Sequence, residues 1–221
     1  MQQPAGTGTA IAAAAARATA APSAATGAPS AATAAAAALD LVPADPARAA
    51  AEAARAVELA RRQGDRGAQS TAHRALGLAA RELGDLGGAL TALHAAVRVA
   101  TAAGLPRVAA QARMTRALVL LSQGKTNAAL RDADAAVASM RGVDRARALA
   151  QQGLILQRSG RFDDAVTVYA AALPALLRHG DRLWEARLRN NRAILHAYRG
   201  HLRRAKTDIA RSEDLFAALE R

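Results

Sequence analysis

Four short stretches of the chain, ELGDLGGAL, SQGKTNAAL, RSGRFDDAV and YRGHLRRAK, align on Gly84, Gly124, Gly160 and Gly200, spaced 40, 36 and 40 residues apart. Five residues after each glycine stands an alanine: Ala89, Ala129, Ala165 and Ala205. Seven residues before each stands another small residue: Gly77, Ala117, Gly153 and Ala193. A fainter copy lies upstream, with Asp45 in the place of Asp85 and Ala49 in the place of Ala89. A period of this length limits the chain to stacked copies of one small unit. Glycine suits a turn that ends a helix in the left-handed region. The small residues mark points where two helices cross too closely for a larger side chain. A second set of turns, at Gly64-Asp65, Gly104 and Gly180-Asp181, divides each copy into helix, turn and helix. One such hairpin cannot bury its apolar face alone, so the copies must stack.

The spacing predicts helices near 46–62, 67–83, 86–102, 106–122, 126–140, 144–158, 162–178, 182–198 and 202–219. Asp45-Pro46 is a start signal, the aspartate as cap and the proline at the first helical position. Alanine supplies much of the 52% hydrophobic content, while aromatics make up only 2%. That balance favours close helix packing over a β-sandwich core. Residues 1–38 consist mostly of Ala, Pro, Ser, Thr and Gly, with Arg17 as the only charge. They read as a disordered tail with little to bury. The expected organisation is therefore a tail at 1–38 and a helical repeat domain at 39–221. The latter divides into a partial repeat at 39–65 and full repeats near 66–104, 105–142, 143–180 and 181–221.

The residues Leu76-Gly77, Ala80, Gly84-Asp85, Ala89, Leu93 and Ala96, followed by Gly153, Gly160, Ala165, Tyr169 and Ala172-Leu173, resemble the tetratricopeptide repeat (TPR) family. The likeness spans about residues 46–221. It implies an all-α fold: an α-solenoid of stacked antiparallel helix pairs in a right-handed superhelix. Repeats of 36–40 residues exceed the family's usual length of about 34. In the last repeat Arg192 and His196 stand where the family has Leu and Tyr, so that end is expected to pack loosely. The wording RLRNNRAILHAYRGHLRRAKTDIARSEDLFAAL is similar to arrays that precede CHAT (caspase-like peptidase) domains in actinobacterial proteins.

The resemblance also implies a function, which is to hold a peptide or a neighbouring domain as a non-catalytic scaffold or sensor. Where a CHAT domain follows such an array, this would be the N-terminal region of a larger protein. First helices of successive repeats line the concave face. By register that face shows Arg74, Leu78 and Arg81, then Gln111, Met114 and Leu118. It continues with Arg147, Gln151, Leu154 and Arg158, then Arg187, Asn190, Asn191, Ile194 and Tyr198. Arg147/Gln151 and Arg187/Asn191 are spaced four apart and share helix faces. Arginine and asparagine can grip a carboxylate or a peptide backbone, so an acidic or C-terminal segment is the expected partner.

Other chemistry finds little support. Gly124-Lys125-Thr126 imitates the end of a phosphate-binding loop, but the first glycine of that motif would fall at Val119. The repeat register makes Gly124 a helix terminator. His73, His94, His179, His196 and His201 form no metal-ligand spacing. There is no cysteine, so thiolate catalysis and disulfides are excluded. No catalytic residue, metal or cofactor is expected.

Net charge is +12, and all but two of the 30 basic residues are arginine, the exceptions being Lys125 and Lys206. The excess peaks at residues 181–206, where Arg182, Arg187, Arg189, Arg192, Arg199, Arg203, Arg204 and Lys206 face only Asp181 and Glu185. Nucleic-acid binding through this last repeat is the alternative function, weakened by the scarcity of stacking aromatics. No apolar run approaches the roughly 20 residues that span a bilayer. A cytoplasmic location without membrane attachment is expected. The last helix is expected to expose Leu215, Phe216 and Leu219, a face suited to pairing.

Overall fold

The computed structural model describes residues 30–220. They form ten α-helices: α1 (Ala31–Leu41), α2 (Pro46–Gln63), α3 (Arg66–Glu82), α4 (Leu86–Ala102), α5 (Pro106–Ser122), α6 (Thr126–Ser139), α7 (Gly142–Arg158), α8 (Phe162–Arg178), α9 (Arg182–Tyr198) and α10 (Leu202–Leu219). They are paired and stacked as repeats. The chain divides into two compact units at the SQGKT turn, one ending at Gln123 and the other beginning at Gly124. Gly124 has φ of 73°, in the left-handed region that ends helices. The glycine of the apparent nucleotide motif is thus a turn residue.

The first unit holds α1 to α5, and alanine dominates its interior. Aspartates set three of its helix starts: Asp45, Asp65 and Asp85 accept the backbone N–H groups of Arg48, Ala68 and Gly88 at 2.9, 2.8 and 2.8 Å. These caps satisfy donors that a helix start leaves unpaired. Where α3 crosses α4, Gly77 lies against the fully buried Leu93. A Cβ at Gly77 would stand 2.5 Å from Leu93 Cγ. Nearby, the Ser70 hydroxyl donates to the Ala96 carbonyl at 2.9 Å.

Helix α1 begins eight residues before the expected boundary at 39. Ser30 caps it by accepting the Thr33 N–H at 3.1 Å, and the Gln63 side chain accepts the Ala31 N–H at 3.0 Å. Ala31 and Ala35 pack into one buried cluster with Ala56, Ala60, Ala68 and Ala72. Composition reads these alanines as having little to bury, yet the methyl groups of Ala31 and Ala35 are fully withdrawn from water against α2 and α3. The remainder of the expected tail, residues 1–29, lies outside the described residues.

The second unit holds α6 to α10 and every aromatic residue of the chain: Phe162, Tyr169, Trp184, Tyr198 and Phe216. The α7–α8 hairpin repeats the glycine contact with a larger partner. A Cβ at Gly153 would come within 2.7 Å of Tyr169 Cδ1. Tyr169 is fully buried, and its hydroxyl is hydrogen-bonded to Gln157 Oε1 at 3.1 Å and to the Asn191 side chain. Burial pushes its phenol well above the ordinary range, against the smaller opposing effects of Asn191 and Arg158.

The last hairpin, α9–α10, is not loosely packed. Arg192 grips Asp208 with two bonds, Nε to Oδ2 at 2.7 Å and Nη2 to Oδ1 at 2.8 Å. Arg189 joins them, Nη1 to Asp208 Oδ1 at 3.0 Å and Nε to Glu185 Oε1 at 2.8 Å. Asp208 and Glu185 are buried. The Ser212 hydroxyl donates to the Ala186 carbonyl at 2.9 Å, the counterpart of the Ser70 bond. Of the residues expected to be open on α10, Leu215 is buried, Phe216 half-buried and only Leu219 exposed. The large exposed apolar side chains of this helix are Leu202, Ile209 and Leu219.

Candidate peptide-binding face

The ten residues singled out from sequence lie on α3 and α5 of the first unit and on α7 and α9 of the second. On α3, Arg74 is half-buried. Its Nε is buried without a hydrogen-bond partner, and burial lowers the pKa of its guanidinium. Arg74 is therefore less open than an exposed clamp residue. Arg81 pairs with its neighbour Glu82. Gln111 on α5 is half-buried.

On α7 and α9 the arrangement is more open. Arg158, Arg187 and Asn190 are exposed, and Gln151 and Asn191 are half-buried. Arg147 is also exposed but is tied to the start of α9. Its Nε donates to Asp181 Oδ2 at 2.5 Å, and Asp181 in turn caps α9 through the Trp184 N–H. Arg147 thus fixes α9 against α7. Asn191 is shared with Tyr169, so it anchors the face to the core. The Arg187 guanidinium lies 5.3 Å from the centre of the Trp184 ring, a cation–π arrangement that limits its swing.

Tyr198 ends the face. Its residue is 76% exposed, and its ring stacks on Phe162 with centroids 5.9 Å apart and planes 10° from parallel. Two large aromatic rings partly open to water in a chain so poor in them form a small apolar platform. Arg158, Arg187, Asn190 and Tyr198 thus supply donors, fixed charge and an apolar surface on one pair of neighbouring helices.

The basic excess at 181–206 is reduced by internal pairing. Arg189 and Arg192 are held by Asp208 and Glu185, and Arg199 pairs with Asp163. Sequence reading missed this ion cluster, although a signal was present. Gly77 meets Leu93 and Gly153 meets Tyr169, each across 16 residues, and the same offset from Arg192 leads to Asp208. His196 lies beside the cluster, with Nε2 3.9 Å from Asp208 Oδ2. Burial, followed by the charge of Arg192, holds its pKa below the ordinary imidazole value. Among the described residues, no group of three or more His, Asp or Glu side chains could hold a metal ion. Likewise, no helix among them is long and apolar enough to cross a membrane.

No protein-family model matches the chain, nor does any curated protein at a significant level. Solved structures do match. BtubC from P. vanneervenii shares a TM-score of 0.61 at 15% identity, covering 98% of this chain and 93% of that one. The apo form of RapI matches with a TM-score of 0.61 at 8% identity, covering 85% and 84%. MamA from Desulfovibrio magneticus RS-1 matches at 0.55 and 16%, covering 84% and 96%. The fold is TPR-like. At these identities the likeness extends to the architecture of the helical repeats alone.

Proposed function

We propose that the chain is a non-catalytic TPR-like interaction module that holds a peptide or a segment of another protein on its first-helix faces. The observation that carries this reading is the α7–α9 face, where Arg158, Arg187 and Asn190 remain in solvent and the open Tyr198 ring ends α9. Arginine and asparagine side chains that the fold leaves in water can bond a partner's carboxylates and backbone. The Tyr198–Phe162 platform can bury an apolar side chain of the same partner. The favoured ligand is therefore an extended segment with acidic groups, including a terminal carboxylate, flanking an apolar residue. Arg74, Arg81 and Gln111 would serve the corresponding face of the first unit. The resemblance to arrays preceding CHAT domains carries no part of this reading.

Random-peptide display against the full chain tests it, followed by titration of the enriched peptides. Enriched sequences should be acidic. Arg187→Glu and Tyr198→Ser should each weaken them by about tenfold, the worth of one charge-assisted contact or one aromatic anchor. Peptides that bind both variants as tightly as the parent chain would show that this face is not the site. The alternative, nucleic-acid binding through the last repeat, predicts a steep salt dependence. It starts with Arg189, Arg192 and Arg199 already committed to internal carboxylates.

A further inference from the structure

A groove of about 500 Å³ lies on the other side of α9, between α8 and α10, and is distinct from the peptide face. Arg189, Arg192, His196, Arg203, Arg204 and Asp208 line it, with Val166 and Ala170 of α8 as an apolar wall. Four arginines and one carboxylate thus line the groove; Arg189 and Arg192 are balanced by that carboxylate and by Glu185 behind it, which leaves the charge of Arg203 and Arg204 in excess. Arg203 and Arg204 have no ion pair among the described residues. His196, 90% buried at its side chain, has an Nδ1 with no hydrogen-bond partner.

The backbone adds to the imbalance. Arg203 and Arg204 lie in the first turn of α10, which has no acidic residue there and no side-chain cap at His201. A helix start carries partial positive charge from its unpaired N–H groups, so basic side chains there are unfavourable and an anion is favourable. The preceding repeat shows the contrast. Moving back 40 residues converts Arg204 to Asp164, Arg192 to Gln152 and His196 to Leu156. The equivalent groove is lined by Asp134, Gln152, Asp164 and Arg161, and the first turn of α8 carries Asp163 and Asp164. The same position in the repeat is therefore acid-bearing in one copy and arginine-lined in the next.

We infer that the α8–α9–α10 groove is a binding site for a phosphate monoester, held by Arg203 and Arg204 at the open start of α10 above the Arg189–Arg192–Asp208 base. A dianionic, tetrahedral group uses the several convergent donors and the uncompensated charge better than a single carboxylate can. A phosphodiester carries only one negative charge and suits the groove less well.

Melting of the full chain, with inorganic phosphate titrated against chloride at matched ionic strength, tests the site. Phosphate should raise the melting temperature where chloride does not. Arg203→Glu/Arg204→Glu should abolish that rise, and the milder Arg203→Gln/Arg204→Gln should weaken phosphate by at least about tenfold. Without ligand, both variants should melt no lower than the parent, because they relieve the charge at the start of α10. Substituting the exposed Arg182, outside the groove, should leave the response intact. Glycerol phosphate and a phosphoserine peptide, each compared with its unphosphorylated form, identify the source as a small molecule or a protein segment, according to which binds more tightly. A phosphate response no larger than that of chloride, or one that survives in the double variants, would overturn the site. Single-stranded DNA binding more tightly than every monoester, and losing its affinity in the same variants, would overturn the monoester assignment.

Discussion

The α3–α4 and α9–α10 hairpins, one from each unit, share a backbone plan and differ in what fills it. Both carry a buried serine that bonds a carbonyl of the partner helix, Ser70 to Ala96 and Ser212 to Ala186. Between α3 and α4 the contacts are apolar: Gly77 against Leu93, with Ala80 and Ala96 also fully buried. Between α9 and α10 the contacts are ionic: Arg189, Arg192, Asp208 and Glu185. The first solution is tolerant electrostatically and strict sterically. The second is the reverse, because each buried charge depends on its partner. A TPR-like frame thus admits either filling, and the choice decides which substitutions it survives.

The largest effect should come from breaking the ionic filling. Asp208→Ala leaves Arg189 and Arg192 without their shared carboxylate and should cost about 3–5 kcal/mol in urea unfolding. Arg192→Met with Asp208→Leu should recover most of that loss, since Arg189 keeps Glu185 and the pair is replaced by apolar contact. Failure of the double variant to recover would mean that the ion pair supplies more than mutual compensation. The acid limb of stability offers a second measure. Burial raises the pKa of Asp208, but hydrogen bonds and charge from Arg192 and Arg189 outweigh it and hold the carboxyl below its ordinary value. Its contribution is therefore complete above the ordinary carboxylate range and is lost as pH falls below it. Asp208→Asn should flatten that part of the pH profile.

Next in size are the steric tests. Gly153→Ala drives a methyl group into the Tyr169 ring and should cost about 1–3 kcal/mol. Gly77→Ala should cost less, because Leu93 can change rotamer where a ring cannot. Equal losses at the two sites would show that the frame, rather than the partner side chain, resists the methyl group. The smallest and most even effects belong to the shared feature. Ser70→Ala and Ser212→Ala should each cost about 1 kcal/mol, the net worth of one buried hydrogen bond. Unequal values would mean that the two hairpins are less alike than their geometry shows.

Much of this frame is legible in the sequence because it depends on local chemistry. Asp45-Pro46 starts α2, Gly84 and Gly160 end α3 and α7, and the small residues at 77 and 153 mark the helix crossings. Nine helices follow from these signals to within one or two residues. Helix α1 does not, because alanine carries no periodic contrast and its burial depends on how near the neighbouring backbone comes. The ion cluster is missed for a related reason. Arg192 at a core position looks like a defect until Asp208, 16 residues away, is placed opposite it. Of the candidate face, the exposed Arg158, Arg187 and Asn190 could be read from register. The tethering of Arg147 to Asp181 and the burial of the Arg74 Nε depend on side-chain paths that register does not specify.

The glycine beneath Tyr169 also bears on how such a chain can change over time. A ring at 169 requires the absence of a side chain at 153, and a side chain at 153 requires a smaller partner at 169. Neither position can drift alone without passing through a destabilised intermediate. Descendants of this hairpin should therefore keep both residues or exchange them as a pair, and the same coupling, more loosely enforced, should link 77 with 93.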